Sequence, residues 1–246
     1  MEKKIKIYIA THKKFNPPES EIYIPIRVGS ILNDDDFGYI RDDTKENISV
    51  KNKNYCELTA LYWIWKNDKS DIVGLVHYRR YFFKNIMSNK IENILDEEEI
   101  GNIFNKYDVI VPNKTFIIKH NVEKSWRTTH LKKDYDLCRE VIKEKHPDYL
   151  NAFDSFSKSK KLYICNMIIA KKEYFNNYCE WLFDILFELE KKIDLSNYDE
   201  YNKRIFGFLS ERLLNVWLYK NKDLKIKQKV VYNIDRFPHN QYFMIN

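Results

Sequence analysis

The chain has 246 residues, of which 44% are hydrophobic and 15% aromatic, with only 5 Gly and 6 Pro; this excludes long disorder and argues against a loop-dominated all-β protein. A net charge of +6, from 42 basic and 36 acidic residues, suits a small anionic ligand or an anionic membrane surface, and with the two signs interleaved and no nucleic-acid motif it sets nucleic acid aside as a partner. Cys56, Cys138, Cys165 and Cys179 lack CxxC spacing and signal neither a zinc site nor a disulfide framework.

In chain order, "KIKIYIA" predicts a first strand at 4–10, ending at Thr11 and His12. "NPPESEIYIPIRVGS" reads as a Pro-marked loop with short extended pieces, and the polar 33–49 stretch as loop. Apolar spacing predicts a helix at 54–67, then a buried strand at 71–77. A helix at 91–107 and a strand at 108–112 follow, and this alternation predicts an α/β sheet of Rossmann type. The second half is richer in helix: two helices at 130–156 broken at His146-Pro147, a strand at 162–170, helices at 171–193 and 204–221, and a closing strand at 224–234. We expect one domain over 1–246, with an α/β half at 1–115 and a helix-rich half at 116–246. The N-terminal apolar run is too short for a signal peptide, and no segment reaches the roughly 20 apolar residues that span a bilayer. The expected location is cytoplasmic, with peripheral contact at the inner face of the membrane left open.

The chemistry concentrates in "DIVGLVHYRRYF" (71–82), where an apolar strand delivers His77, Tyr78, Arg79 and Arg80 to its carboxyl end. Ligands of open α/β sheets sit at that edge, and arginine forks match phosphate oxygens. Thr11 and His12 converge there if the two strands are parallel neighbours. Asp42 and Asp43 are candidates for accepting hydrogen bonds from a ribose or sugar hydroxyl. Asp34 and Asp36 have a spacing that could hold Mg²⁺ or Mn²⁺, or could simply be solvated. Glu57 answers equally well to a helix dipole, Glu211 to an ion pair or a base, and Asn166 to a turn or a contact with a hydroxylated ligand. GxSxG, Walker, GxGxxG and HExxH patterns are absent.

Taken together, "IYIATHKKF", "IPIRVGSILNDDDFGYIRDDTKENIS", "NKNYCELTALYWIWKN" and "VGLVHYRRYF", with the later "NMIIAKKEYFNNYCEWLFDIL" and "FGFLSERLLNVWL", resemble a bacterial family long labelled a domain of unknown function. That family occurs in capsular, exopolysaccharide and O-antigen gene clusters and is regarded as glycosyltransferases. The resemblance runs from about residue 5 to 220. It implies a GT-A-like fold, a nucleotide-sugar donor such as a UDP-linked galactose or galactofuranose, and a lipid-linked or oligosaccharide acceptor.

GT-A enzymes usually carry Asp-x-Asp and a metal at the end of a central strand, where this sequence has His77-Tyr78-Arg79-Arg80. The departure implies that no cofactor is required and that His77, Arg79 and Arg80 neutralise the diphosphate directly. Mn²⁺ or Mg²⁺ on Asp34 and Asp36 is the fallback. The resemblance further implies Thr11 and His12 near the nucleotide, Asp42 or Asp43 on ribose or donor sugar, and Glu57 or Glu211 as base if the reaction inverts. Two other functions are compatible with the sequence: a non-catalytic glycan-binding or scaffold protein of polysaccharide assembly, and another nucleotide-sugar-processing enzyme.

Overall fold

A computed structural model of the chain describes residues 3–88 and 90–235. Its strands are β1 (Ile5–Thr11), β2 (Tyr23–Arg27), β3 (Ile40–Arg41), β4 (Ile72–His77), β5 (Arg80–Phe82), β6 (Val109–Pro112), β7 (Thr115–Phe116), β8 (Lys161–Leu162), β9 (Ile168–Lys171), β10 (Ile226–Lys229) and β11 (Val231–Asn233). Its α-helices are α1 (Asn52–Tyr55), α2 (Leu58–Asn67), α3 (Glu97–Ile103), α4 (Val122–Thr129), α5 (Lys132–Lys145), α6 (Leu150–Ser157), α7 (Lys172–Lys192) and α8 (Ile205–Lys220). The described residues form two compact units, the first within 3–113, 167–177 and 224–235, the second within 114–166 and 178–223.

The first unit is a mixed, mainly parallel sheet in the order β10-β6-β9-β4-β1-β2-β3. β1 runs parallel to β2 and β4, and β9 is antiparallel to β4 and β6. β1 and β4 read as near-continuous apolar runs because both faces of a central parallel strand are covered. α2 covers them, with Trp63 edge-on to Tyr8 at 5.8 Å. Lys172 Nζ closes the carboxyl end of α2 by donating to Ile64 O (3.2 Å) and Trp65 O (3.4 Å). Gly74 lets β9 come close: a Cβ there would sit 2.6 Å from Ile169 Cγ1.

The second unit packs α4, α5, α6, α8 and the 178–192 part of α7 with the β7–β8 ribbon. Asn121 caps α4 by accepting from Lys124 N (2.8 Å). Trp126, Phe153, Phe156, Tyr178 and Leu182 fill its core. Among the described residues no helix is long and apolar enough to cross a membrane.

The mainly parallel α/β architecture, the 71–77 strand and the helix break at His146-Pro147 agree with the sequence reading. Several elements differ. The helix expected at 54–67 is interrupted at Cys56 (φ 52°). The one expected at 91–107 starts only at Glu97, where the Asp96 side chain accepts from Glu99 N. The strand expected at 162–170 is two strands parted by Cys165 and Asn166, with φ of 78° and 48°. The closing strand is also two, β10 and β11. Of the short extended pieces expected in 16–30, Tyr23–Arg27 forms β2, and α4 had no expected counterpart. The unit change falls at 113/114, beside the expected 115/116 division, but 167–177 and 224–235 return to the first unit.

Candidate active site

The register of the first unit places the carboxyl ends of three strands side by side. Thr11 of β1 lies opposite Arg27 of β2, and Ala10 lies opposite His77 of β4. β4 then turns back through two residues, Tyr78 and Arg79, since His77 pairs with Arg80. Neither turn residue has a positive φ, so this is not one of the primed turns that keep two strands together. Accordingly β5 shares one pair with β4 and continues along β11, Arg80 opposite Asn233. Ile234 N donates to Arg79 O (2.9 Å) and Tyr78 N to Ala10 O (3.1 Å), which fixes the hairpin at both sides.

The hairpin concentrates cations. The Nε atoms of Arg79 and Arg80 are buried and meet no hydrogen-bond partner among the described residues. The Arg79 guanidinium lies 5.2 Å from the Tyr78 ring centre and Lys13 Nζ 4.9 Å from it. His12 meets the same ring edge-on at 5.4 Å. A buried donor without a partner is costly, and an anion would satisfy either of these.

Aromatic rings line the approach. Phe15 is 6.1 Å from Tyr78 and 5.6 Å from Tyr39, and Phe37 is 5.9 Å from Tyr39. Tyr39 Oη donates to Phe15 O (2.5 Å) and accepts from Phe15 N (3.2 Å), tying the segment after β1 to the segment before β3. Arg27, only 2% exposed, donates to Asn33 O (3.1 Å) and to Asp35 O, and its guanidinium lies 5.1 Å from the Phe37 ring. It therefore shapes the loop beside the hairpin.

The residues singled out from sequence divide into groups. Thr11, His12, His77, Arg79 and Arg80 share the carboxyl edge. The Thr11 hydroxyl closes a local turn, donating to Lys13 O (2.6 Å). Glu57 precedes α2, whose chain runs back into β4, so it also belongs to this edge. Asp42 is fully buried and accepts from Gly29 N (2.8 Å), Ser30 N (2.9 Å) and Ser49 Oγ (2.5 Å). Both its oxygens are thereby engaged in holding two turns together. Asp43 forms a two-point pair with Arg41, Oδ1 to Nε (3.1 Å) and Oδ2 to Nη2 (2.7 Å), and this pair holds its carboxyl below the usual range. Asp34 and Asp36 are exposed, and Asp36 Oδ1 accepts from Gly38 N (2.8 Å). Among the described residues no three His, Cys, Asp or Glu side chains come together as a cation site.

Asn166 and Glu211 belong to the second unit. The Asn166 amide donates to Gly207 O (3.0 Å) and accepts from Ser210 Oγ (2.9 Å), clasping the left-handed turn to α8. Glu211 accepts from Cys165 N (3.1 Å) through Oε1 and from Arg212 Nη1 (3.1 Å) through Oε2. The sequence reading passed over Arg27, Lys13, Phe15, Phe37 and Tyr39. Only Arg27 carried a local signal, as an arginine ending an extended apolar piece.

A cavity of about 400 Å³ opens elsewhere in the first unit, by Lys3, Lys69, Asp71 and Lys171, at the amino end of β4. It includes none of these residues.

The mainly parallel sheet flanked by helices is a GT-A-like fold. The solved apo structure of the bifunctional glycosyltransferase WbbM is similar, with a TM-score of 0.86 and 32% identity over 95% of this chain and 46% of that one. The chain thus spans about half the length of that protein. It belongs to the family described as domain of unknown function DUF4422, which it matches over residues 6–222. No curated protein matches it.

Proposed function

We propose that the chain is a glycosyltransferase that moves a sugar from a UDP-linked donor, galactose or galactofuranose, to a growing capsular, exopolysaccharide or O-antigen glycan. The acceptor end is lipid-linked or a free oligosaccharide. The observation that carries this reading is the β4–β5 hairpin, where the buried Nε atoms of Arg79 and Arg80 meet no described partner. Preorganised cations at that edge suit a leaving diphosphate, whose charge develops as the sugar departs. The 32% identity to a bifunctional glycosyltransferase supports the same class.

In the transfer, the acceptor hydroxyl oxygen bonds to the anomeric carbon and the bond from that carbon to the diphosphate oxygen breaks. The nucleoside diphosphate leaves with the electron pair, and Arg79 and Arg80 take up its charge, with His77, Thr11 and His12 at the same edge. Inversion needs a base for the hydroxyl proton. Glu57 and Glu211 are the two candidates for it. Arginines stand in for a cation in this scheme, so neither Mn²⁺ nor Mg²⁺ is required. Asp34 and Asp36 are the carboxylates that would hold one otherwise.

Calorimetry with UDP, GDP and CMP, each with Mn²⁺ and with EDTA, tests this. UDP binding that survives EDTA is expected. Binding only with Mn²⁺ would move the site towards Asp34 and Asp36. Failure of every nucleotide to bind would favour a glycan-binding scaffold, and turnover of a nucleotide sugar without acceptor a nucleotide-sugar-processing enzyme.

A further inference from the structure

The second unit contains an aromatic stack that its own packing does not use up. Trp126 of α4 is fully buried. His130 lies 4.4 Å from it and 4.4 Å from Phe208 of α8. Tyr201 is parallel to His130 (5.7 Å, 3°) and 4.9 Å from Phe208, and it remains 51% exposed. The stack therefore begins in the core and ends at the surface. Asn202 Oδ1 is 3.4 Å from His130 Nδ1 and steadies the ring. Burial holds the imidazole pKa down at about 4, so the stack is uncharged near neutral pH.

The polar neighbours are of two kinds. Phe208, Glu211 and Arg212 are at i, i+3 and i+4 of α8, so they share one helix face about one turn apart. Glu211 is the carboxylate pinned by Cys165 N and Arg212. Arg212 is 8% exposed, its guanidinium 5.5 Å from the Trp126 ring, and its Nε has no partner among the described residues. The buried Arg212 Nε is a donor left unsatisfied among the described residues beside the rings, and the Arg204 guanidinium lies 5.3 Å from the Phe208 ring. Ring faces carry negative potential and attract polarised C–H groups, while a carboxylate and a guanidinium serve hydroxyls.

We infer that Tyr201, Phe208 and His130 form an acceptor-sugar subsite, on which the C–H face of a neutral hexose ring stacks so that its hydroxyl edge meets Glu211 and Arg212. The assignment of this ring as an acceptor rests on the glycosyltransferase reading; the presence of a sugar subsite does not. Tyr201 and Phe208 bind the ring, His130 acts through them as a positioning residue, and Glu211 and Arg212 meet its hydroxyls.

The test uses the full chain, with methyl glycosides of galactose, glucose and mannose as probes, read by saturation-transfer NMR. The same samples are titrated with UDP. Wild-type protein is expected to saturate the C–H protons of one ring face of at least one glycoside. Tyr201→Ala is expected to weaken that binding about 2- to 10-fold, Tyr201→Phe to retain it, and both to melt and to bind UDP as wild type does. Phe208→Leu gives a second route to the same loss. Absence of saturation transfer from every glycoside in wild type, or equal transfer in Tyr201→Ala, overturns the subsite. Glycoside binding that depends on Tyr201 in a protein that binds no nucleotide keeps the subsite and sinks the donor reading instead.

Discussion

Arg79 and Arg80 are adjacent in a hairpin whose backbone is held by Ile234 N and by the pairing of Arg80 with Asn233. Truncating either side chain should leave that backbone in place and remove one fork of donors. Hydrogen bonds to charged groups contribute about 1.5–3 kcal/mol, so Arg79→Ala or Arg80→Ala should weaken UDP binding roughly 10- to 150-fold with little change in melting temperature. Arg79→Lys keeps the charge without the planar fork and should recover only part of the loss. Unaltered UDP affinity in both alanine variants would remove the carrier of the proposed function. His130 is a residue-scale test of a different kind. Burial is the main cause that lowers its pKa from 6.5 to about 4; the Arg212 charge adds to this and the Asn202 contact opposes it. Between those values the unfolded chain binds more protons than the folded one. Its contribution is therefore complete above about pH 6.5 and is lost as pH falls towards 4. The ring is partly exposed, so only a fraction of the ideal effect is expected. His130→Phe keeps the stack and removes the titration. Its urea midpoint should fall less steeply than that of wild type over this window; parallel curves would contradict the assignment.

Elements here are joined by small buried devices, and those devices decide what the sequence displays. Asp42 holds the turn after β2 to the turn before α1 through Gly29 N, Ser30 N and Ser49 Oγ. Gly29 has φ 66°, and a Cβ there would fall 2.6 Å from Asn52 Oδ1. Gly29→Ala should therefore cost about 1–3 kcal/mol of stability. Asp42→Ala should cost about 3 kcal/mol or more, because it strands buried donors. Chemical denaturation checks both, and Asp42→Ala at wild-type stability would mean the carboxylate does something other than hold the turns. β1, β4, α2, α7 and α8 were legible because their apolar periodicity is strong. β2 was legible only as an extended piece within a loop, because of Pro25. Val28 N donates to Thr11 O, so by alternation the missing N–H of Pro25 faces away from β1. On that side β3 pairs only with Ile26 and Arg27, and the proline removes no ladder bond. The break between β8 and β9 was hidden because Cys165 and Asn166 hold left-handed φ without a glycine to mark it. Asn166 donating to Gly207 O, Glu211 accepting from Cys165 N and Asn215 accepting from Tyr163 N supply what the local sequence lacks. At the candidate site, the cations were visible as a strand ending in HYRR. The Phe15–Tyr39–Phe37 row was not, since it is assembled by tertiary contacts and reaches the hairpin through Phe15 and Tyr78.

The whole molecule is interleaved, which bears on whether the donor-binding edge can exist by itself. A division near residue 115 suggests two halves, yet β9 comes from residues 168–171, after the chain has passed through 114–166 of the second unit. β9 lies between β4 and β6, which do not pair with each other. β10, which pairs with β6, comes later still. A fragment of residues 1–113 would keep the residues of the HYRR hairpin but lose β11 and Ile234 N, which hold it, and leave one ladder side of β4, and both sides of β6, without partners. It would also expose the apolar surface that Ile168, Ile169 and Ala170 cover in the intact protein, where each is 1% exposed or less. Burying an isoleucine contributes about 1.5–3 kcal/mol, and a domain's whole margin is only about 5–15 kcal/mol. The fragment should therefore lack a cooperative thermal transition, give poorly dispersed amide spectra and fail to bind UDP. The intact chain carrying Arg79→Ala should bind UDP roughly 10- to 150-fold more weakly yet melt cooperatively. The two losses are thus separable: one removes the sheet that presents the cations, the other a cation from an intact sheet. If the fragment folds and binds UDP, β9 is dispensable and the donor site is an autonomous half after all. If it does neither, the excursion through the second unit is a condition of building the site, because the strand that completes the central sheet is delivered only on the way back.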